Sequence, residues 1–126
     1  MKLDLKERDR DILSHIILYC DQVQSAVDHF GNDKEIFMAD VVFRNAVGMP
    51  IQTIGELTRH FSDEFIKNNQ EIPWRQIRGM RNYFAHKYWD MDSEAIWKTV
   101  VDDIPHLRKS CQQLLKDNPE SKTTEK

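Results

Sequence analysis

The chain has 126 residues, of which 31% are charged, and its formal net charge at pH 7 is −3. A chain of this length forms one domain that buries roughly two-thirds of its unfolded surface, so it needs no disulfide or metal to fold. The mildly acidic balance argues against a non-specific nucleic-acid coat, although it leaves room for one small basic cleft.

The two cysteines, Cys20 and Cys111, fall at apolar positions of helical patterns, so we interpret them as reduced core thiols. The chain has no CxxC motif and no Cys/His cluster, so we expect neither a metal nor a cofactor. The first residues lack a secretory apolar region, and no apolar run reaches the ~20 residues needed to span a bilayer. We therefore expect a cytoplasmic protein.

Scarce glycine and proline, four each, and the absence of strand-like alternation predict an all-α fold. The first helix is predicted from about Leu5 to Phe30, because apolar residues recur every three or four positions along it. Gly31 then ends that helix.

The second helix is predicted to start near Lys34, with Asn32 or Asp33 as its cap. Pro50 lacks an N–H and clashes with the preceding turn, so we expect a kink or short break at Gly48–Pro50. The apolar pattern then predicts a continuation of the helix as far as Phe65.

Two residues of this continuation are notable. Gly55 lies within the apolar stripe, where glycine costs up to ~1 kcal/mol relative to alanine, so we expect it to let another backbone approach closely. Glu56 follows it. This residue is interpreted as a surface carboxylate, with a place in a functional cleft as the alternative.

The third helix is predicted to begin at Pro73, which suits a first helical position. Its apolar stripe is Trp74, Ile77, Met80 and Phe84, and a second stripe carries Arg75, Arg78, Arg81 and Asn82. Three arginines without a lysine favour a surface that grips phosphate or carboxylate in a fixed geometry. The alternatives are a solvated charged face and pairing with nearby acidic residues.

The last helix is predicted to follow a connection at Met91–Asp92, with Ser93 as candidate cap and with a bend at Pro105. Residues 1–117 would form the domain, and residues 118–126 a flexible tail. Long amphipathic helices with short links favour an up-down antiparallel bundle, kinked at prolines. A homodimer would bury the surplus of aromatic residues at one end, which are Tyr83, Tyr88, Trp89 and Trp97.

The densest chemistry lies in residues 81–88, RNYFAHKY. Arginine binds phosphate and keeps its charge, whereas histidine exchanges protons near neutral pH. Arg81 and His86 are five residues apart, about 140° around an ideal helix. Both can reach one ligand if the helix ends or tightens near His86, or if two copies share the site. The alternative is a helix end at which these side chains only cap carbonyls.

The spacing of Arg81, His86 and Tyr88 resembles the R-x4-H-x-Y motif of HepT-like toxins, a branch of the HEPN superfamily. The run from Ile72 to Asn82, IPWRQIRGMRN, is similar to a characteristic run of that family. Further similarity lies in Ile54–Gly55–Glu56 and in Trp97 with Asp103–Ile104–Pro105. The residues between Asn82 and His86 are bulkier than in some members, and Lys87 stands where glycine is frequent.

The resemblance implies an all-α HEPN-like bundle that forms a homodimer, in which the two motifs face a shared cleft. It also implies a toxin with metal-independent endoribonuclease activity. Such toxins are typically encoded beside an MntA-type nucleotidyltransferase antitoxin, which transfers AMP from ATP to the motif tyrosine, here Tyr88.

The resemblance and the chemistry of RNA together assign roles to the motif residues. His86 would transfer protons, and Arg81 would stabilise charge on the phosphate. Asn82 would orient His86 or a phosphate oxygen. Tyr88 would line the cleft, and its AMP adduct would exclude RNA by bulk and charge. Further cations, Arg75, Arg78 and Lys87, would bind RNA phosphates.

Two other functions stay open at this point. A HEPN domain of this kind could be a non-catalytic module that binds nucleotide or its nucleotidyltransferase partner. The chain could also be a purely structural helical dimer.

Overall fold

The computed structural model describes residues 5–82 and 93–119, and every regular element within those residues is helical. The all-α prediction is therefore confirmed for this part of the chain. The main helices, in chain order, are α1 (Glu7–Phe30), α2 (Lys34–Ala39), α3 (Val41–Leu57), α4 (Asp63–Asn68), α5 (Trp74–Gly79), α6 (Ser93–Lys98) and α7 (Ile104–Asp117).

Helix α1 ends where the sequence predicts. Gly31 has a φ of 120°, a conformation that favours glycine, and its N–H donates to the carbonyl oxygen of Val27 at 2.8 Å. Asp33 then caps α2, because its carboxylate accepts from the N–H of Glu35 at 2.8 Å.

The predicted interruption of the second helix is in the wrong place. The break falls at Asp40, which is extended (φ −116°, ψ 106°) and whose carboxylate accepts from the N–H groups of Val42 and Phe43. Helix α3 then continues through Pro50 without a break. The Asp40 carboxylate satisfies N–H groups that would be free at the start of α3, and this favours a boundary between α2 and α3 at Asp40. A bend of the helix axis at Pro50 stays a prediction.

The predicted continuation as far as Phe65 is also wrong. Helix α3 ends at Leu57, a 3-10 turn covers Thr58–His60, and α4 begins after Ser62. Ser62 caps α4 by accepting from the N–H of Phe65 at 3.1 Å. Its own N–H and hydroxyl donate to the two carboxylate oxygens of Asp9, at 2.8 and 2.7 Å. A buried carboxylate on α1 therefore fixes the start of α4.

Helix α5 begins at Trp74, so Pro73 precedes the helix instead of occupying its first position. The indole N–H of Trp74 donates to the carbonyl oxygen of Asn69 at 2.9 Å, which ties α5 to the end of α4. The backbone then tightens into a 3-10 turn over Met80–Asn82. The predicted core position Phe84 lies outside the described residues.

The last helical stretch consists of α6, a π-helical segment at Thr99–Asp103, and α7. Pro105 falls in the first turn of α7, directly after the π segment, where the hydrogen-bonding pattern changes and its missing N–H costs least. The Asn118 amide donates to the carbonyl oxygen of Leu114, so the packed region includes Asn118. Residues 120–126 of the predicted tail lie outside the described residues.

The core forms where α1 packs against α3 and α7. Cys20 and Cys111 are free thiols buried in this core, as predicted. Burial raises the pKa of Cys20 from 9.0 to about 12, and burial also raises the pKa of Cys111. Trp97 packs against Phe37 and Phe43 of its own chain. Among the described helices, none is long and apolar enough to cross a bilayer.

Candidate active site

The position of α5, which leads into the motif, depends on one residue of α3. A Cβ atom built on Gly55 would lie 2.4 Å from the backbone N of Arg81, 3.0 Å from the carbonyl oxygen of Ile77 and 3.1 Å from that of Arg78. All three are backbone atoms, so no rotation of a flexible side chain could make room. The prediction that Gly55 permits a close backbone approach is confirmed, and the backbone in question is that of the arginine-bearing segment.

Glu56, the next residue, contacts the motif arginine. Its Oε1 atom lies 3.6 Å from Nη1 of Arg81, and its Oε2 atom lies 3.3 Å from Nη1 of Arg59. The Glu56 and Arg81 side chains are 49% and 43% exposed, so solvent screens the pair and its strength is that of a surface ion pair. Glu56 thus restrains the position of the Arg81 side chain, while the guanidinium group stays accessible to solvent. Arg59 was not predicted, although its i+3 spacing from Glu56 is a recognisable signal.

The other predicted phosphate-binding arginines, Arg75 and Arg78, are exposed. Across residues 5–82 and 93–119, neither has a carboxylate oxygen within 4.0 Å. Among the described residues, both guanidinium groups are therefore exposed and without a carboxylate partner. Asn82 is half-buried and ends the 3-10 turn that carries Arg81.

The structure brings Glu56 and Arg81 together, and places Arg75, Arg78 and Asn82 on the same short segment. The predicted residues His86, Lys87 and Tyr88 lie outside the described residues. The backbone tightens into a 3-10 turn at Met80–Asn82. Whether Arg81 and His86 reach a common ligand depends on the backbone near His86, so this stays a prediction.

A pocket of about 580 Å³ lies between α5 and the π segment. Its lining includes apolar residues, such as Ile77 and Leu107, and polar residues, which are Gln76, Lys98, Asp103 and His106 among others. Its lining includes none of the predicted site residues, although part of it comes from the run between Ile72 and Asn82 and from Asp103. No group of three or more His, Cys, Asp or Glu residues in the described part of the chain is arranged to hold a metal ion.

Over the described residues, every regular element is helical, and exposed arginines lie on α5 and its 3-10 extension. Comparison with known proteins identifies the family. Residues 16–114 match the family model described as "Ribonuclease HepT-like". The chain therefore belongs to the HepT-like ribonuclease family.

Curated relatives carry consistent names. "Probable ribonuclease HepT" of Thermococcus cleftensis is 35% identical over 65% of this chain and 74% of its own. "Putative RNase TTE0752" of Caldanaerobacter subterraneus subsp. tengcongensis is 31% identical over 84% of this chain and 93% of its own. "Putative RNase MJ1380" of Methanocaldococcus jannaschii is 31% identical over 73% and 88%. No solved structure matches the chain.

Proposed function

We propose that this protein is a metal-independent endoribonuclease that acts as the toxin of a toxin–antitoxin pair. The observation that carries the proposal is the match to the HepT-like ribonuclease family over residues 16–114, together with a complete Arg81, His86 and Tyr88 motif. The exposed guanidinium groups on α5 and its 3-10 extension suit a phosphodiester substrate.

The proposed reaction uses the nucleophile that RNA itself supplies. A base removes the proton of the 2′-hydroxyl, the 2′-oxygen forms a bond to phosphorus, and the bond from phosphorus to the 5′-oxygen breaks. An acid then protonates the departing 5′-oxygen. His86 carries protons in these steps, and Arg81 stabilises the charge that develops on the phosphate oxygens. Asn82 orients His86 or a phosphate oxygen.

The remaining basic residues bind the flanking RNA. Arg75 and Arg78 are exposed on α5, and Lys87 adds a cation within the motif. Contacts of this kind position the strand without selecting its sequence, and they weaken as salt concentration rises.

The active form in this proposal is a homodimer in which both motifs face one cleft, and its regulator is an MntA-type nucleotidyltransferase. That enzyme would transfer AMP from ATP to the phenol oxygen of Tyr88, with release of pyrophosphate. The adduct adds bulk and negative charge beside Arg81, so it would exclude RNA.

The ribonuclease proposal is tested by inducing the chain alone in a bacterial host, next to His86→Ala, and mapping new ends in total RNA. We expect growth arrest and new RNA ends with the wild type only. Cleavage by both proteins would remove His86 from the mechanism. No cleavage by well-folded wild type would favour a non-catalytic module that binds nucleotide or the nucleotidyltransferase.

The antitoxin proposal is tested by co-expression with an MntA-type nucleotidyltransferase and mass spectrometry of the purified chain. We expect an AMP adduct on the peptide that contains Tyr88 and none on that peptide in Tyr88→Phe. Adducts found only on other peptides would contradict the assignment.

A further inference from the structure

The pocket between α5 and the π segment has no role in the site described above. Its volume of about 580 Å³ falls in the range of pockets that hold small organic molecules, roughly 300–1,000 Å³. Its walls combine aliphatic side chains with polar ones; among them are Ile77, Met80 and Leu107, and Gln76 and Asp103. This combination suits a flat molecule that is held by its faces and recognised at its edges.

Gly79 forms part of the α5 wall of this pocket, and nothing in the described fold requires a glycine there. A Cβ atom built on Gly79 meets no atom within 4 Å, and its φ is not positive, unlike that of Gly31. Glycine weakens a helix relative to alanine, so a glycine without a packing or conformational reason points to a use outside the fold. On a pocket wall, a missing side chain lets a ligand approach the backbone closely.

Gly79 also lies between the pocket and the arginine side of α5. On an ideal helix it is about 40° around the axis from Arg75 and about 60° from Gln76, which lines the pocket. Arg75 and Arg78 are exposed, and across residues 5–82 and 93–119 neither has a carboxylate partner. A molecule bound to these arginines can therefore cross α5 at Gly79 and enter the pocket without meeting a side chain at that point.

The charges of the pocket disfavour a phosphate and suit an uncharged ring. Nζ of Lys98 lies 3.7 Å from Oδ1 of Asp103, so this cation of the lining is already paired. Glu71 adds a second carboxylate, which is exposed and has no cation within 4.0 Å among the described residues. Carboxylates repel an anion, but they accept hydrogen bonds from the N–H groups at the edge of a nucleobase.

We propose that this pocket receives one unpaired base of an RNA strand whose phosphates lie along Arg75 and Arg78. The inference rests on the proposed function and adds a part of its substrate, a single-stranded segment in which one base has left the stack. The strand crosses α5 at Gly79, and the base enters among the aliphatic side chains of the pocket.

The carboxylate of Asp103 gives the pocket a preference among bases. It accepts from ring and amino N–H groups, of which guanine offers two side by side and uracil offers one. Guanine is therefore the preferred base. Phosphate contacts with Arg75 and Arg78 position a strand without reading its sequence, so the pocket adds the selectivity that those contacts lack.

The test measures the binding of RNA that cannot be cleaved. Short oligouridines with 2′-O-methyl groups lack the 2′-hydroxyl nucleophile, and each carries A, C, G or U at one central position and a fluorescent label. Fluorescence anisotropy with the full chain gives a Kd for each oligonucleotide. We expect the wild type to bind the guanine-containing strand about tenfold more tightly than the all-uridine strand. Equal Kd values for all four strands would overturn the proposal.

The variant Gly79→Leu tests whether this preference arises in the pocket. Its side chain has free space at the entrance, so the protein should stay folded, as judged by circular dichroism, and should lose the guanine preference. Gln112→Leu adds the same side chain at an exposed position of α7 outside the pocket lining, and it should keep the preference. Retention of the preference in folded Gly79→Leu would overturn the proposal. So would a change of its mass in light scattering, because Gly79 would then serve a contact between copies.

Asp103→Asn tests the hydrogen-bond acceptor independently of Gly79. The Asp103 side chain makes no capping hydrogen bond at the start of α7, and its pair with Lys98 is half-exposed, so the fold should not depend on it. We expect about tenfold weaker binding of the guanine-containing strand and little change for the all-uridine strand. An equal change for all four strands would contradict recognition of the base by Asp103.

Arg75→Ala provides the contrast, because it should weaken all four strands alike and lower the slope of log Kd against log salt by about one. A loss confined to the guanine-containing strand would contradict the proposed division between phosphate and base contacts. None of these measurements requires cleavage, so failure of the base pocket is separate from failure of the ribonuclease proposal, which the mapping of RNA ends decides.

Discussion

The contact between Gly55 and the backbone of the motif segment leads to the sharpest prediction. In Gly55→Ala, the new Cβ would lie 2.4 Å from the N atom of Arg81, whereas ordinary contacts are 3.4–4 Å. The backbone around Arg81 must therefore move by about 1 Å. Overpacking of this kind costs about 1–3 kcal/mol, and the better helix propensity of alanine recovers up to ~1 kcal/mol. We expect a net loss of about 1–2 kcal/mol in the free energy of unfolding.

The chain offers a matched control for this substitution. Gly79 is also helical, but a Cβ built on it meets no atom within 4 Å. Gly79→Ala should therefore stabilise the protein by about 0.5–1 kcal/mol, because alanine loses less backbone entropy than glycine. The two glycine-to-alanine substitutions should therefore change the free energy of unfolding in opposite directions.

The assay is urea or thermal unfolding of both variants, followed by cleavage of a total-RNA substrate below the melting temperature. At roughly 4 °C per kcal/mol, Gly55→Ala should lower the melting temperature by about 4–8 °C. A shift of about 1 Å at Arg81 should also lower the cleavage rate by up to ~100-fold. The reasoning is refuted if Gly55→Ala is as stabilising as Gly79→Ala.

Three further outcomes follow from contacts described above. Glu56→Gln should change stability by less than about 1 kcal/mol, because its ion pair with Arg81 is half-exposed, yet should slow RNA cleavage about tenfold; a stability loss with full activity would contradict this. Asp9→Ala should cost about 2–4 kcal/mol in urea unfolding, since it strands two buried donors, and should leave cleavage unchanged in the folded protein. Because burial raises the pKa of Cys20 to about 12, the thiol ionises first in the unfolded chain, and stability should fall as pH rises above about 9. A variant with alanine at both Cys20 and Cys111 should lose that pH dependence.

Much of the local chemistry could be read from the sequence. The end of α1 at Phe30, the burial of both cysteines and the close approach at Gly55 are confirmed. These features depend on short-range patterns, such as helical periodicity and the special properties of glycine. The family could also be recognised, because its motif is local in sequence.

The errors share a physical origin. The apolar periodicity predicts one continuous helix across Asp40, yet α2 ends there and α3 begins. The Asp40 side chain bonds to nearby backbone N–H groups, and this local bonding competes with continuation of the helix. Ser62 starts α4 with the help of Asp9, which lies far away along the chain. The Glu56–Arg81 pair, which the sequence left among the alternatives, likewise joins α3 to a separate segment. Contacts between distant segments leave no signal in the spacing of either segment.

The Gly55 contact also bears on how the family could diversify. It involves only backbone atoms of residues 77, 78 and 81, so it does not depend on which side chains those positions carry. The exposed side chains of Arg75 and Arg78 can therefore change during evolution without disturbing how α5 packs on α3. Selection could alter the charge on the exposed side of α5 while the absence of a side chain at position 55 preserves the packing of α5 on α3.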